Sequence, residues 1–153
     1  MTAAQAHVKY PQRLQNDTWS MPEPRIRCVG AIITDDTGRL LLIKRGHEPD
    51  EGRWSLPGGR VRPGESDLEA VAREGREETA LQVEPGLLIG EVGRPGPGGT
   101  IFDIHDYAAS VSGGQLEAGD DAADARWVHP HDIDRLDLTS GLARTLAEWG
   151  VLS

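Results

Sequence analysis

The sequence predicts a single α/β or α+β domain built on a mixed β-sheet. Short β-branched or leucine-rich runs interleave with three helical segments, and no stretch of the chain is repeated. The length of 153 residues fits one domain and is enough to bury a core. Residues 1–24 stand apart. They are polar, hold Pro11, Pro22 and Pro24, and keep no sustained periodicity. They read as an N-terminal arm or irregular lead-in anchored by Tyr10 and Trp19, or as a mobile tail; the domain itself spans 25–153.

The elements follow in order. Residues 25–34, rich in Ile and Val, read as a strand, 35–38 as a turn, and 39–45 as a second strand with Leu40, Leu41, Leu42 and Ile43 buried on both sides. That pair looks like a hairpin. A polar loop at 46–52 leads to a short strand at 54–56, broken by Pro57-Gly58-Gly59. Ser66 opens the clearest helix, 66–79: Glu69 three residues on completes a capping-box pattern, and Asp67 and Glu69 put negative charge in the first turn, where the helix dipole favours it. Strands are expected at 81–83, 87–92 and 100–111, with a Gly- and Pro-rich loop at 93–99 and a turn at 112–114. A short strand at 125–128, a short helix at 131–136 and an amphipathic helix at 140–149 close the chain. In that last helix Leu142, Thr145, Leu146 and Trp149 share one face.

Composition narrows the function. The formal net charge is −9, divided unevenly: 10 bases and 7 acids in residues 1–64, against 6 bases and 18 acids in 65–153. Such a balance argues against nucleic acid and anionic membranes as partners. No apolar run approaches the ~20 residues of a membrane span. Residues 1–30 hold no apolar segment behind a basic start, so a cytoplasmic location is expected. The single cysteine, Cys28, excludes an intramolecular disulfide and a multi-cysteine zinc site. No G-x-x-x-x-G-K-[ST] run is present, which excludes P-loop chemistry.

The 66–79 helix carries the chemical signal. Leu68, Val71, Ala72, Gly75 and Thr79 form its expected buried face, with Gly75 allowing close approach to the sheet. Glu74, Glu77 and Glu78 converge on another patch through i+3 and i+4 spacing. Like charges so placed repel. They mark either a solvated acidic face or an oxygen-rich site for a hard divalent cation.

Context favours the cation. Gly59, five residues, Glu65, seven residues, Arg73-Glu74, two residues, Glu77-Glu78 and then Leu81 resemble the Nudix box of the Nudix hydrolase family: G, five residues, E, seven residues, R-E-U-x-E-E-x-G-U, with U a bulky apolar residue. Two positions depart from it: Gly75 stands for an apolar U, and Ala80 for the closing Gly. Neither removes a carboxylate; the second matters if that position needs positive φ. The resemblance covers most of residues 26–150.

The resemblance implies an α/β/α sandwich with a central mixed sheet. It also implies Mg²⁺- or Mn²⁺-dependent attack of water on the pyrophosphate bridge of a nucleoside diphosphate linked to X. By resemblance, Glu74, Glu77, Glu78 and the Gly58 carbonyl are the metal ligands, and Glu65, Arg73 and Gly59 hold the loop against the helix. The base is Glu74, or an acid of the 117–121 segment, Asp120 or Asp121; the lesser alternative is that those two acids cap a turn. Asp103, His105 and Asp106 could line the cleft instead, or Asp103 and His105 could form a hydrogen-bonded pair. Arg25, Arg27, Lys44 and Arg45 are candidates to meet phosphate or ribose, or are solvated edge residues. Trp54 stacks on a base or packs in the core. His7, His47, His129 and His131 show no ligand spacing. Pro97, sixteen residues past Leu81, matches a feature of the family's ADP-ribose hydrolases. X is thus expected to be of the ADP-ribose or nucleotide-sugar type; the alternatives are a nucleoside triphosphate pyrophosphohydrolase and a low-turnover nucleotide sensor. The partner is a small nucleotide, and the chain a monomer or homodimer.

Overall fold

The computed structural model describes residues 7–9, 24–119 and 121–152. Tyr10, Trp19 and Asp120 lie outside them. Among the described residues, eight strands and two α-helices follow in the order β1 (His7–Lys9), β2 (Arg25–Ile33), β3 (Leu40–Arg45), β4 (Trp54–Ser55), β5 (Gly58–Arg60), α1 (Asp67–Thr79), β6 (Gln82–Pro95), β7 (Ile101–Gly113), β8 (Ala122–Val128) and α2 (Leu142–Glu148). Short 3₁₀ turns occupy Pro97–Gly99 and Pro130–Arg135.

The strands form two sheets. One has the order β1-β6-β7-β2-β5 and the other β4-β3-β8. The first is mixed: β2 pairs in parallel with β7, and antiparallel with β5, while β6 and β7 form a long antiparallel pair. Strand β1 adds in parallel to the edge at Gly90–Val92, so part of the segment read as an arm is a sheet edge.

The expected β2–β3 hairpin is corrected. Asp35 does build the turn: its side chain accepts from the Thr37 N–H at 3.0 Å and the Arg39 N–H at 2.8 Å. Only Thr34 and Leu40 bridge across it, however, and the strands then part into different sheets. The reason is competition for ladder partners: β7 and β5 occupy the two edges of β2, and β4 and β8 those of β3.

Alternation along these strands feeds two cores. Leu40 and Leu42 of β3 join Ile32, Trp54, Val128, Leu146 and Trp149 beneath α2. Leu41 points the other way, with Val29, Ala31, Ile33 and Val83, and meets Ala70 and Val71 of α1. The full burial expected for residues 40–43 is observed.

Other boundaries move. Strand β6 runs unbroken from Gln82 to Pro95 where two strands and the start of a loop were expected. Register shifts around Pro85, Leu88 and Gly90 absorb the residues that look like breakers. On α1, Leu68 is 44% exposed and Ala70 fully buried, which rotates the expected buried face. Trp54 is a core residue, with the Arg126 guanidinium 5.1 Å from its ring centroid.

Candidate active site

Helix α1 starts where the sequence places it. The Ser66 hydroxyl accepts from the Glu69 N–H, and the Glu69 carboxylate accepts from the Ser66 N–H, both at 3.1 Å. A fixed start and a period of 3.6 residues put Glu74 and Glu78 on one side of the helix, facing the β4–β5 segment.

Gly58 and Gly59 supply the opposing surface because their missing side chains allow close approach. A Cβ on Gly59 would stand 2.6 Å from a Glu74 carboxylate oxygen, and one on Gly58 would collide with the Val29 carbonyl. The Gly58 N–H donates to Glu78 Oε1 at 2.6 Å. Glu74, Glu78 and Asp121, with Gly58 and Gly59, line a cleft of about 240 Å³ that Arg45 and His47 complete.

Arg73 fastens the surrounding loop. Its guanidinium bonds both Glu65 oxygens at 2.7 and 2.9 Å, Glu74 at 2.8 Å and the Arg60 carbonyl at 3.0 Å. Hydrogen bonds from Arg73 and the Arg62 N–H hold the Glu65 carboxyl down at about 2. Glu78 is the opposite case. Burial pushes its carboxyl up to about 8, against the Gly58 hydrogen bond and with help from the neighbouring Glu74 charge. Burial raises Glu74 as well, against the pull of Arg73.

Glu77 takes a different position. It is exposed, bonds Arg73 at 3.2 Å and Arg62 at 3.4 Å, and does not line the cleft. Among the described residues no three acidic, histidine or cysteine side chains surround a single point. The donor set still suits a hard cation: it is all oxygen, and burial, with the nearby Glu74 charge, disfavours the charged form of the Glu78 carboxylate that a cation would favour. Glu74 and Glu78 could hold such an ion, with Glu77 joining by leaving its arginines.

The remaining candidates are dispersed. Arg45 lines the cleft, its Nε donating to the Pro49 carbonyl at 2.6 Å. Arg25 and Arg27 do not. Arg27 is bidentate on Asp67 at 2.7 and 3.1 Å, and both arginines stand 3.9 Å from Asp103. His105 Nε2 lies 3.3 Å from Asp103, and its Nδ1 3.4 Å from Glu91, the paired arrangement rather than the cleft. Asp106 is buried, which drives its carboxyl up to about 7, opposed by the Arg94 charge. His47 is the residue that ligand spacing missed: its Nε2 stands 3.6 Å from Asp121 Oδ1 at the cleft mouth. It arrives on a loop, and no periodicity announces it.

A family model described as the NUDIX domain matches residues 24–149. The chain belongs to the NUDIX family. Over 110 residues it is 40% identical to an ADP-ribose pyrophosphatase of Methanocaldococcus jannaschii, covering 71% of this chain and 64% of that protein. A putative 8-oxo-dGTP diphosphatase of Bacillus subtilis is 39% identical over 100 residues, covering 65% and 63%. The match thus spans less than two thirds of the length of either relative. Among solved structures, a MutT protein from Methanosarcina mazei Go1 superposes with a TM-score of 0.74 at 27% identity, covering 86% of this chain and 96% of that one. The mixed sheet between α1 and α2 is the arrangement expected from the NUDIX resemblance. NUDIX enzymes generally use divalent metal ions and act on small nucleotides. Among the described residues no helix is long and apolar enough to cross a membrane.

Proposed function

We propose that this NUDIX chain is a Mg²⁺- or Mn²⁺-dependent pyrophosphohydrolase acting on a nucleoside diphosphate linked to X, of the ADP-ribose or nucleotide-sugar type. The observation that carries the reading is the meeting of Glu74, Glu78 and Asp121 with the Gly58-Gly59 loop in one cleft. The 40% identity to an ADP-ribose pyrophosphatase supports the substrate class.

A bound divalent ion supplies charge neutralisation at phosphate and a more acidic water. Glu78 and Glu74 would hold it, with Glu77 and the Gly58 carbonyl as further ligands. Glu65 and Arg73 keep the loop seated on the helix. Arg45 and His47, at the cleft wall, meet phosphate oxygens. Asp121, with Asp120 beside it in sequence, accepts the proton of the attacking water; Glu74, bonded to Arg73, is the second candidate for that task.

A second reading, hydrolysis of a nucleoside triphosphate, is favoured by the 39% identity to a putative 8-oxo-dGTP diphosphatase. A panel of dinucleotide, nucleotide-sugar and triphosphate substrates, run in ¹⁸O-water, separates the two by product and by the phosphorus attacked. Absence of metal-dependent turnover across the panel would leave a nucleotide sensor. Glu78→Gln is expected to lower turnover by about 10²-fold or more and to weaken Mn²⁺ binding in parallel. Full activity in that variant would overturn the ligand assignment.

A further inference from the structure

We infer that Gly119 and Gly46 are positioning residues: their missing side chains let the segment carrying Asp121 seat directly on the helix carrying Glu74 and Glu78. The inference rests on the reading of Asp121 as the group that acts on water.

The last carbonyls of α1 have no partners within the helix, and the 117–119 segment satisfies them. The Glu117 N–H donates to the Thr79 carbonyl at 2.9 Å, and the Gly119 N–H to the Glu78 carbonyl at 3.0 Å. The approach is close enough that a Cβ on Gly119 would collide with the Glu77 carbonyl oxygen and sit 3.3 Å from Glu78 Cα. On the other side, the Gly46 N–H donates to the Asp121 carbonyl at 3.3 Å, and a Cβ on Gly46 would stand 3.0 Å from that oxygen. Gly119 is therefore held against the end of α1 and Asp121 against the end of β3.

Neither glycine has positive φ, so what each supplies is space rather than a special backbone conformation. Gly38, Gly52 and Gly64 show the converse, with positive φ and open surroundings. The obstacle at Gly119 is helix backbone, which cannot swing aside as a side chain can. Any side chain at 119 must lift the segment off the helix, and Asp121 follows two residues later.

The test uses Gly119→Ala, Asp121→Asn and the double variant of the full chain, with steady-state turnover and Mn²⁺ affinity measured by titration. Gly119→Ala is expected to lower kcat by roughly 10- to 10²-fold, the scale of an ångström-level misplacement. KM and Mn²⁺ affinity should each stay within about twofold, because Glu74 and Glu78 keep their places on the helix. The double variant should be no slower than Asp121→Asn alone, since there is no acid left to misplace. Effects that multiply, a parallel loss of Mn²⁺ affinity, or wild-type kcat in Gly119→Ala would each overturn the inference. Wild-type turnover in Asp121→Asn would instead overturn the reading it rests on. Should Gly119→Ala fail to fold, Gly46→Ala decides, with a smaller kcat loss that Asp121→Asn again absorbs; additivity there overturns it.

Discussion

Two carboxylates thirteen residues apart, Glu65 and Glu78, differ only in their surroundings. An arginine holds the first at about 2, and burial lifts the second to about 8. This difference makes pH a probe of the site. Glu78 and Asp106 are raised on folding from their ordinary 4.5 and 3.8 to about 8 and about 7. Below the unfolded values both groups are protonated in either state, and stability is fully present. As pH rises, the unfolded chain releases these protons first, so stability falls until the folded values are passed. The metal-free protein should therefore lose thermal stability between about pH 4 and pH 8. Added Mg²⁺ should raise Tm more at pH 8 than at pH 5, and Glu78→Gln should flatten both trends; an unchanged slope in that variant would assign the effect elsewhere. At this scale the sequence was only partly readable. The spacing of Glu65, Arg73, Glu74 and Glu78 is local, and the structure keeps their local arrangement. Whether Arg27 or Arg45 faces the cleft depends on which loops meet across the sheet. Arg27 goes to Asp67, and His47 reaches Asp121 from a segment with no pattern of its own.

Helix α1 shows how a departure from a pattern can be explained by neighbouring elements. Gly75 stands where the family has a bulky apolar residue, and a Cβ there would lie 2.7 Å from Val83 Cγ2. Here β6 itself fills the volume that such a side chain would occupy. Ala80 is the less comfortable change. It caps the helix at φ 62° and ψ 8°, a left-handed conformation that costs an L-residue about 1–2 kcal/mol. Ala80→Gly is expected to gain about 1 kcal/mol after the entropic cost of glycine, visible as a rise of about 3 °C in Tm. The capping box was legible because it is written within four residues. The continuity of β6 through Pro85 and Gly86 was not, since only pairing with β7 decides that those residues form bulges rather than breaks.

On the scale of the whole molecule, the decisive event is the parting of β2 and β3 into separate sheets. Sequence distance favours a hairpin, and only the competing partners β5, β7, β4 and β8 reverse it. The expected burial of residues 40–43 on both sides already implied a strand enclosed between two layers. Leu41 meets the α1 core while Leu40 and Leu42 meet the α2 core, so the cores are joined through three consecutive residues. Leu41→Ala should cost about 2–5 kcal/mol. Amide exchange should quicken in α2 as much as in α1, although Leu41 belongs to the α1 core; protection lost in α1 alone would show two separable units. For the lineage of such a chain this has a plain meaning. A change of side chain in β3 must suit two packing environments at once, which leaves few heritable alternatives. New specificities have an easier path through the exposed 48–51 segment, which follows the cleft residue His47 and can drift without that double constraint.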